Sequence, residues 1–212
     1  MQKIVIVGAG GHAGVVIEIF RLSGEYEPVG LLDPTLSGKT VHGLPVLGGD
    51  DLLPRLRAGG ISAVFIGVGG TGDNLPRKKL FEKAESFGFA MVNAVHPAAV
   101  ISSSAHLGRG VAVMARAVIN PEARIGDNVI INTGAIVEHD CKVGAHAHLS
   151  PGSVLCGGVE VGMAAHVGAG AVVRQKVGIG EKAVVGAGAV VLNDVPAGAV
   201  VAGVPARFLR KM

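Results

Sequence analysis

The chain has 212 residues, of which 49 % are apolar, 17 % charged and 3 % aromatic, with 34 glycines and no tryptophan. That balance excludes intrinsic disorder and asks for a narrow, regular interior of Val, Ala and Gly rather than a core assembled around rings. A net charge of +3 with so few stacking aromatics argues against a nucleic-acid surface.

The chain opens with an apolar run, Lys3–Val7, that reads as a buried parallel strand. Gly8 to Gly14 form a glycine turn and Val15–Leu22 a helix. The glycines and Glu18 interrupt the apolar run, so the N-terminus is not read as a signal peptide. Val29–Asp33 is a second strand, and Asp50–Arg57 a helix with Asp50 as a candidate cap. Ile61–Val68 is a third strand. Pro76–Phe87 is a helix, with Asn74 as its cap and Pro76 in its first turn. Strands alternating with helices predict a short Rossmann-like parallel sheet of three or four strands. Its turn reads Gly8-x-Gly10-x-x-Ala13, and Asp33 closes the second strand where a ribose-binding acid belongs. A half-size domain of this kind suits a mononucleotide or nucleotide-sugar better than a dinucleotide.

From Val95 to Val191 every sixth residue is Ile, Leu or Val, and four residues after each stands a small one, from Ala99 through Cys141 and Ser153 to Val195. Three short strands per turn make a triangular coil, with the aliphatic residue filling each face and the small one at each corner. Coils of this kind stack through parallel-sheet hydrogen bonds about 4.8 Å apart. The reading is a left-handed parallel β-helix, and the glycines that often follow the aliphatic position are expected to supply unusual backbone angles at the turns. The fold class is therefore α/β plus β. Residues 1–92 form a Rossmann-like domain for a nucleotide-sugar, and residues 93–212 form the β-helix.

A β-helix interior is full, so chemistry belongs on its outer faces or between subunits. His139 follows the inward Val137 by two places and points outward between Glu138 and Asp140. A carboxylate on one ring nitrogen fixes the tautomer and raises the basicity of the other, as a general base requires. His148 and His166 are separated by one full turn and stack on adjacent coils. Cys141 falls at an inward corner and reads as packing. Two cysteines make no disulfide framework, which fits a cytoplasmic protein. No stretch reads as a transmembrane helix, so no membrane insertion is expected.

The GAGGHAG turn, Asn93-Ala94-Val95-His96-Pro97 at the junction, Ile131-Asn132-Thr133-Gly134-Ala135-Ile136-Val137-Glu138-His139-Asp140-Cys141 and Gly203-Val204-Pro205-Ala206-Arg207 together resemble a known family. It comprises the sialic acid O-acetyltransferases and the nucleotide-linked amino-sugar N-acetyltransferases, among them the bacillosamine-pathway and GDP-perosamine enzymes. The resemblance implies acetyl-CoA as co-substrate, no metal, and the C4 amine of a nucleotide-linked 4-amino-4,6-dideoxy sugar as acceptor. It implies His139 as general base, oriented by Glu138 or Asp140. Gly8, Gly10, Gly11, His12 and Asp33 would hold the nucleotide-sugar. Asn132, His148 and Gly168, with the tail residues Gly203, Pro205, Ala206 and Arg207, would hold acetyl-CoA. It also implies a homotrimer with sites between subunits. Three other readings compete: O-acetylation of a sialic acid or other sugar, a trimeric zinc hydratase using His139, His146, His148 and His166, and a non-catalytic nucleotide-sugar-binding regulator.

Overall fold

The computed structural model describes residues 1–212. The chain divides into two units, Met1–Gly69 with Pro76–Pro97, and Gly70–Leu75 with Ala98–Met212.

In the first unit, β1 (Gln2–Val7) buries Ile4, Val5 and Ile6 completely, as a strand covered on both faces must. α1 (Gly11–Ser23) presents Ala13, Val16, Ile17 and Phe20 to the sheet and ends at Gly24, whose φ of 66° lets its N–H bond the Phe20 carbonyl. There follow β2 (Tyr26–Leu32), the hairpin of β3 (Thr40–Val41) and β4 (Leu44–Gly48), α2 (Leu53–Ala58), β5 (Ala63–Ile66), α3 (Leu75–Ser86) and β6 (Ala90–Met91). The sheet order is β3-β4-β2-β1-β5-β6, parallel except for the β3–β4 hairpin. This Rossmann-like sheet has six strands rather than three or four, because the short β3–β4 hairpin and β6 extend its edges. Phe20 meets Phe65 edge-on at 5.8 Å and Tyr26 at 5.7 Å, while Phe81 and Phe89 pack in a separate cluster with Val5, Val7, Val64 and Ile66.

Two helix starts differ from expectation. α1 begins at Gly11, inside the glycine turn, because Gly10 takes the N-cap position without needing a side chain. Asp50 caps nothing; it opens a single 3₁₀ turn and pairs with Lys83 at 2.6 Å.

The second unit is a parallel β-helix. Strands of two residues repeat around three faces, and each pairs in parallel with the strand one full turn further on, as in Ile130↔His148↔His166 or Lys142↔Glu160↔Gly178. From Val113 onward each sixth aliphatic residue is at most 4 % exposed. The small series behaves alike, with Ala135, Cys141, Ala147 and Ser153 wholly buried.

The corners separate two roles that the sequence blends. The left-handed backbone falls three residues after each aliphatic position, at Gly110, Arg116, Glu122, Asn128, Gly134, Asp140, His146 and onward, with φ between 55° and 69°. Most of these are not glycine, and the cost of about 1–2 kcal/mol at each is borne by the stacking. The glycines that directly follow an aliphatic residue have ordinary φ and serve a different need. A Cβ on Gly144 would stand 2.7 Å from the Met163 nitrogen, and one on Gly162 would stand 2.5 Å from that of Glu181. Those glycines let one coil lie against the next.

The last coil is shortened. Val201 pairs with Val185 and Val195 with Ile179, each two positions short of a full turn, and the terminal strand Arg207–Lys211 then runs antiparallel to Ala199–Ala202. No helix of the protein is long and apolar enough to cross a membrane.

Two alanine substitutions distinguish the corner roles. Gly162→Ala should lower stability by about 3 kcal/mol or more, since backbone must move, whereas Gly152→Ala, at φ 65° in open space, should cost only about 1–2 kcal/mol. Chemical denaturation of both variants checks the order; equal losses would contradict it.

Candidate active site

Asp140 occupies one of the left-handed corners, with φ 60°, a conformation that Asp tolerates better than most residues. The bend turns its carboxylate back onto the preceding side chain, and Oδ2 stands 2.7 Å from Nδ1 of His139. A carboxylate accepts, so Nδ1 carries the hydrogen and Nε2 keeps the lone pair. The imidazole is 63 % exposed. Of the two acids expected to orient it, only Asp140 touches the ring. Glu138 accepts the His139 backbone N–H at 3.4 Å.

On another face of the prism a hollow of about 470 Å³ is lined by Gly70–Gly72, Asn132, His148, Ser150, His166 and Gly168, but not by His139. Its polar groups are held in a chain. The Gly70 carbonyl accepts from Nδ1 of His148 at 2.8 Å, which leaves Nε2 to accept the Asn132 amide at 3.1 Å. The Asn132 Oδ1 in turn accepts the Thr133 N–H at 2.8 Å. Asn132 is thus fixed in orientation, and both nitrogens of His148 are engaged. His166 lies edge-on to His148 at 5.0 Å and bonds Ser150 through Nε2 at 3.2 Å. His146 sits at a buried corner, 3.0 Å from the amide of Asn128. Of the four histidines of the zinc-hydratase reading only His148 and His166 adjoin, His139 and His146 standing at other corners, and no three His, Cys, Asp or Glu side chains of the chain converge as a metal site. Both nitrogens of His148 are already bonded within the chain, which leaves it no lone pair for a metal.

The segment Gly70–Leu75 belongs to the β-helix unit. Asn74 does not cap α3; its amide donates to the carbonyls of Ala164 and Ala165 at 3.2 and 3.1 Å, and the side chain is buried. Asp73 takes the capping role by accepting the Leu75 N–H at 2.9 Å. A Cβ on Gly70 would collide with Oδ1 of Asn74, so the loop can close only with glycine there.

In the first unit, Gly10 and Gly11 face open space, where a Cβ would meet nothing within 4 Å. The first turn of α1 carries no acidic residue, and no side chain caps its N–H groups. Gly8, at φ 105°, lies against Val68 and Gly67 and shapes the turn from within. The Asp33 carboxylate accepts the Thr35 hydroxyl at 2.7 Å and its N–H at 2.9 Å. The Thr35 side chain and the Thr35, Ala9 and Leu36 N–H groups hold it below the usual carboxylate range. Asp33 therefore ties the end of β2 to the glycine turn. His12 lies in the first turn of α1 with Nε2 buried and without a hydrogen-bond partner. Burial, and then the positive charge of buried Arg77, lower its pKa to about 4. Arg77 itself is drawn down by burial to about 9 and stays cationic at neutral pH.

The tail begins at Gly203, with φ 97°, and passes a cis Val204–Pro205 bond. The Ala206 N–H bonds the Val190 carbonyl at 2.8 Å, and Arg207 opens the terminal strand, exposed throughout. Burial raises the thiol of inward-facing Cys141, which keeps it unreactive.

A family model described as the PglD N-terminal domain matches residues 3–84, and one described as bacterial transferase hexapeptide (six repeats) matches residues 122–157. The crystal structure of PerB from Caulobacter crescentus, in complex with CoA and GDP-perosamine, is 48 % identical, covers 99 % of this chain and 98 % of its own, and superposes with a TM-score of 0.93. The chain belongs to the hexapeptide-repeat sugar N-acetyltransferases. The acetyltransferase domain of PglB from Neisseria gonorrhoeae is 38 % identical over 99 % of this chain and 100 % of its own, with a TM-score of 0.93. UDP-N-acetylbacillosamine N-acetyltransferase of Bacillus subtilis (strain 168) is 36 % identical over 117 residues, 54 % of this chain and 52 % of the relative. That match spans about half the length of this curated relative.

Sequence reasoning passes over Ser150, Gly70 and Arg77, and it reads Asn74 as a cap. Ser150 could have been found, since it follows Leu149 on the same outward column as Asn132. The others depend on partners far away in the chain.

His12 gives a pH signature. Above pH 6.5 it is neutral in both the folded and the unfolded chain. As pH falls toward about 4, the unfolded chain takes up a proton that the folded chain refuses, so stability declines across that window by up to about 3 kcal/mol. His12→Gln should flatten this decline. Urea titrations from about pH 7 to about pH 4.5 measure it, and identical slopes for wild type and variant would contradict the buried, neutral histidine.

Proposed function

We propose that the protein transfers the acetyl group of acetyl-CoA to the C4 amine of a nucleotide-linked 4-amino-4,6-dideoxy sugar. The reading is carried by one observation: an outward imidazole whose Nδ1 is held at 2.7 Å by Asp140, on a chain 48 % identical to an enzyme solved with CoA and GDP-perosamine. In this reaction the neutral amine attacks the thioester carbonyl, and Nε2 of His139 takes the proton as the C–N bond forms. The tetrahedral intermediate then collapses, the C–S bond breaks, and the CoA thiolate leaves as the proton is returned. Asp140 keeps the lone pair on Nε2 and stabilises the imidazolium. No covalent enzyme intermediate is required, and much of the acceleration comes from clamping two large substrates end to end. In the Caulobacter enzyme, variants with one histidine replaced by Asn or by Ala were solved with both CoA and GDP-perosamine bound. That fits a histidine needed for the reaction rather than for binding.

Residues 1–92 hold the nucleotide-sugar, with the diphosphate at the first turn of α1 beside Gly10 and Gly11, Asp33 toward the ribose and His12 toward the sugar. Residues 93–212 hold acetyl-CoA, with Asn132, His148 and Gly168 near the thioester and the Gly203–Arg207 tail along the cofactor. The working form is a homotrimer. Its support is an outward apolar ladder on one face of the prism, Val100, Val118, Ile136, Val154, Val172 and Val190, in register over six coils and with Val100 62 % exposed. Both cysteines are free thiols, consistent with the cytoplasm.

A thiol-release assay with acetyl-CoA and UDP-, GDP- and dTDP-linked 4-amino sugars tests the reading. One amino sugar should turn over, and His139→Ala should lower kcat by about 10²–10⁴-fold while the sugar still binds. Loss of sugar binding in that variant would overturn the base role. Turnover with a sialic acid alone, yielding a product cleaved by mild base, would move the protein to the O-acetylating branch.

A further inference from the structure

The corner that follows Val137 carries His139, and the same corner recurs once in every turn of the coil. The equivalent positions are Ser103, Pro121, His139, Gly157 and Gln175. Neighbouring coils thus accept side chains here, and the coil directly above His139 has none. Gly157 does not owe its identity to the backbone. The left-handed residue of its corner is Gly158, with φ 69°, while Gly157 has a φ that any residue adopts. What a side chain at 157 would meet is the imidazole of the preceding coil. A Cβ built there lies 2.7 Å from both Cε1 and Nε2 of His139 and 3.4 Å from Cδ2, and no other atom is as close. The ring therefore leans across the rung into the space that the missing side chain leaves. Its Nδ1, next to Cε1 in the ring, is bonded to Asp140 at 2.7 Å.

We propose that Gly157 is a positioning residue for His139. Its bare Cα seats the ring against Asp140 and keeps the approach to Nε2 clear. The inference rests on His139 being the general base but concerns a different residue. A methyl at 157 would be cheap for the fold, because the displaced group is the exposed end of a side chain rather than backbone. It would be expensive for the reaction, because the ring can yield only by swinging away from its place between Asp140 and the acceptor. Misplacement of about 1 Å at a reacting group can reduce rates by about 10²-fold.

The test is a double-mutant cycle on the full chain: wild type, Gly157→Ala, His139→Ala and the double variant, assayed with acetyl-CoA and the amino sugar that turns over. Gly157→Ala should lower kcat by about 10- to 100-fold, with KM for both substrates within about threefold and an unchanged melting temperature. In the His139→Ala background the same change should alter the residual rate by less than about twofold, because the group it acts through is gone. Equal losses in both backgrounds would overturn the proposal by showing that the methyl obstructs substrate or fold directly. Undiminished kcat in the single variant would overturn it as well. Histidine-ring NMR gives a readout that needs no turnover. The Cε1–H signal lost in His139→Ala should move in Gly157→Ala, while those of the seven other histidines stay. A signal that does not move would overturn the seating even if the acceptor sugar is of another class. A wild type inactive on every amino sugar, with the signal still moving, would instead count against the proposed reaction and leave the seating intact.

Discussion

Each coil of the β-helix must return to its starting point after three faces, because the strand above and the strand below already fix where its hydrogen bonds lie. Most other features of residues 98–212 follow from that closure. It imposes a sharp bend at the end of every face, and the bend admits a left-handed residue at one place and only a small residue at another. It also packs successive bends so closely that a Cβ on Gly126 would fall 2.6 Å from the Ala145 nitrogen. Side chains with freedom are left on the outside. Reactive groups can only be displayed there, in columns whose spacing the coil dictates.

The same closure explains how the proposed base is built from neighbouring residues. Asp140 stands at a bend that reverses the chain, so its carboxylate reaches a side chain one position earlier without help from another element. In the hollow on the other face the arrangement is the opposite. Asn132, His148 and Gly70 come from two coils and a distant loop, and their order depends on an unbroken line of hydrogen bonds. One half of the chemistry is local and rigid, and the other is assembled.

How much of this can be read in the sequence follows the same division. The six-residue period is legible because the inward positions tolerate so few side chains, and the outward face of His139 follows from counting two places beyond Val137. The left-handed corner is not legible, since Arg116, Glu122, Lys176 and Lys182 occupy it as readily as glycine. The start of α1 is misjudged because glycine is a poor helix former, yet Gly11 and Gly14 lie within that helix, and the ring of His42 fills the space a side chain on Gly14 would take. Asn74 resembles a cap, and only the fold shows that it bonds the carbonyls of Ala164 and Ala165, far along the chain. Gly157 stands in plain view one turn beyond His139, but the reading needs the direction of a ring as well as a column of letters.

The shortened final coil bears on a hazard common to every solenoid. A stack of parallel coils ends in an open rung of backbone donors and acceptors on which another molecule could continue the stack. Here the last turns close early, and the chain then doubles back so that Arg207–Lys211 runs against the direction of every strand before it in the β-helix. The rung it presents has the wrong polarity for another coil and carries Arg207, Arg210 and Lys211 along an exposed edge. The strand Arg207–Lys211 therefore covers the last rung of this face, and without it the backbone donors and acceptors of Ala199–Ala202 would lie open to pairing.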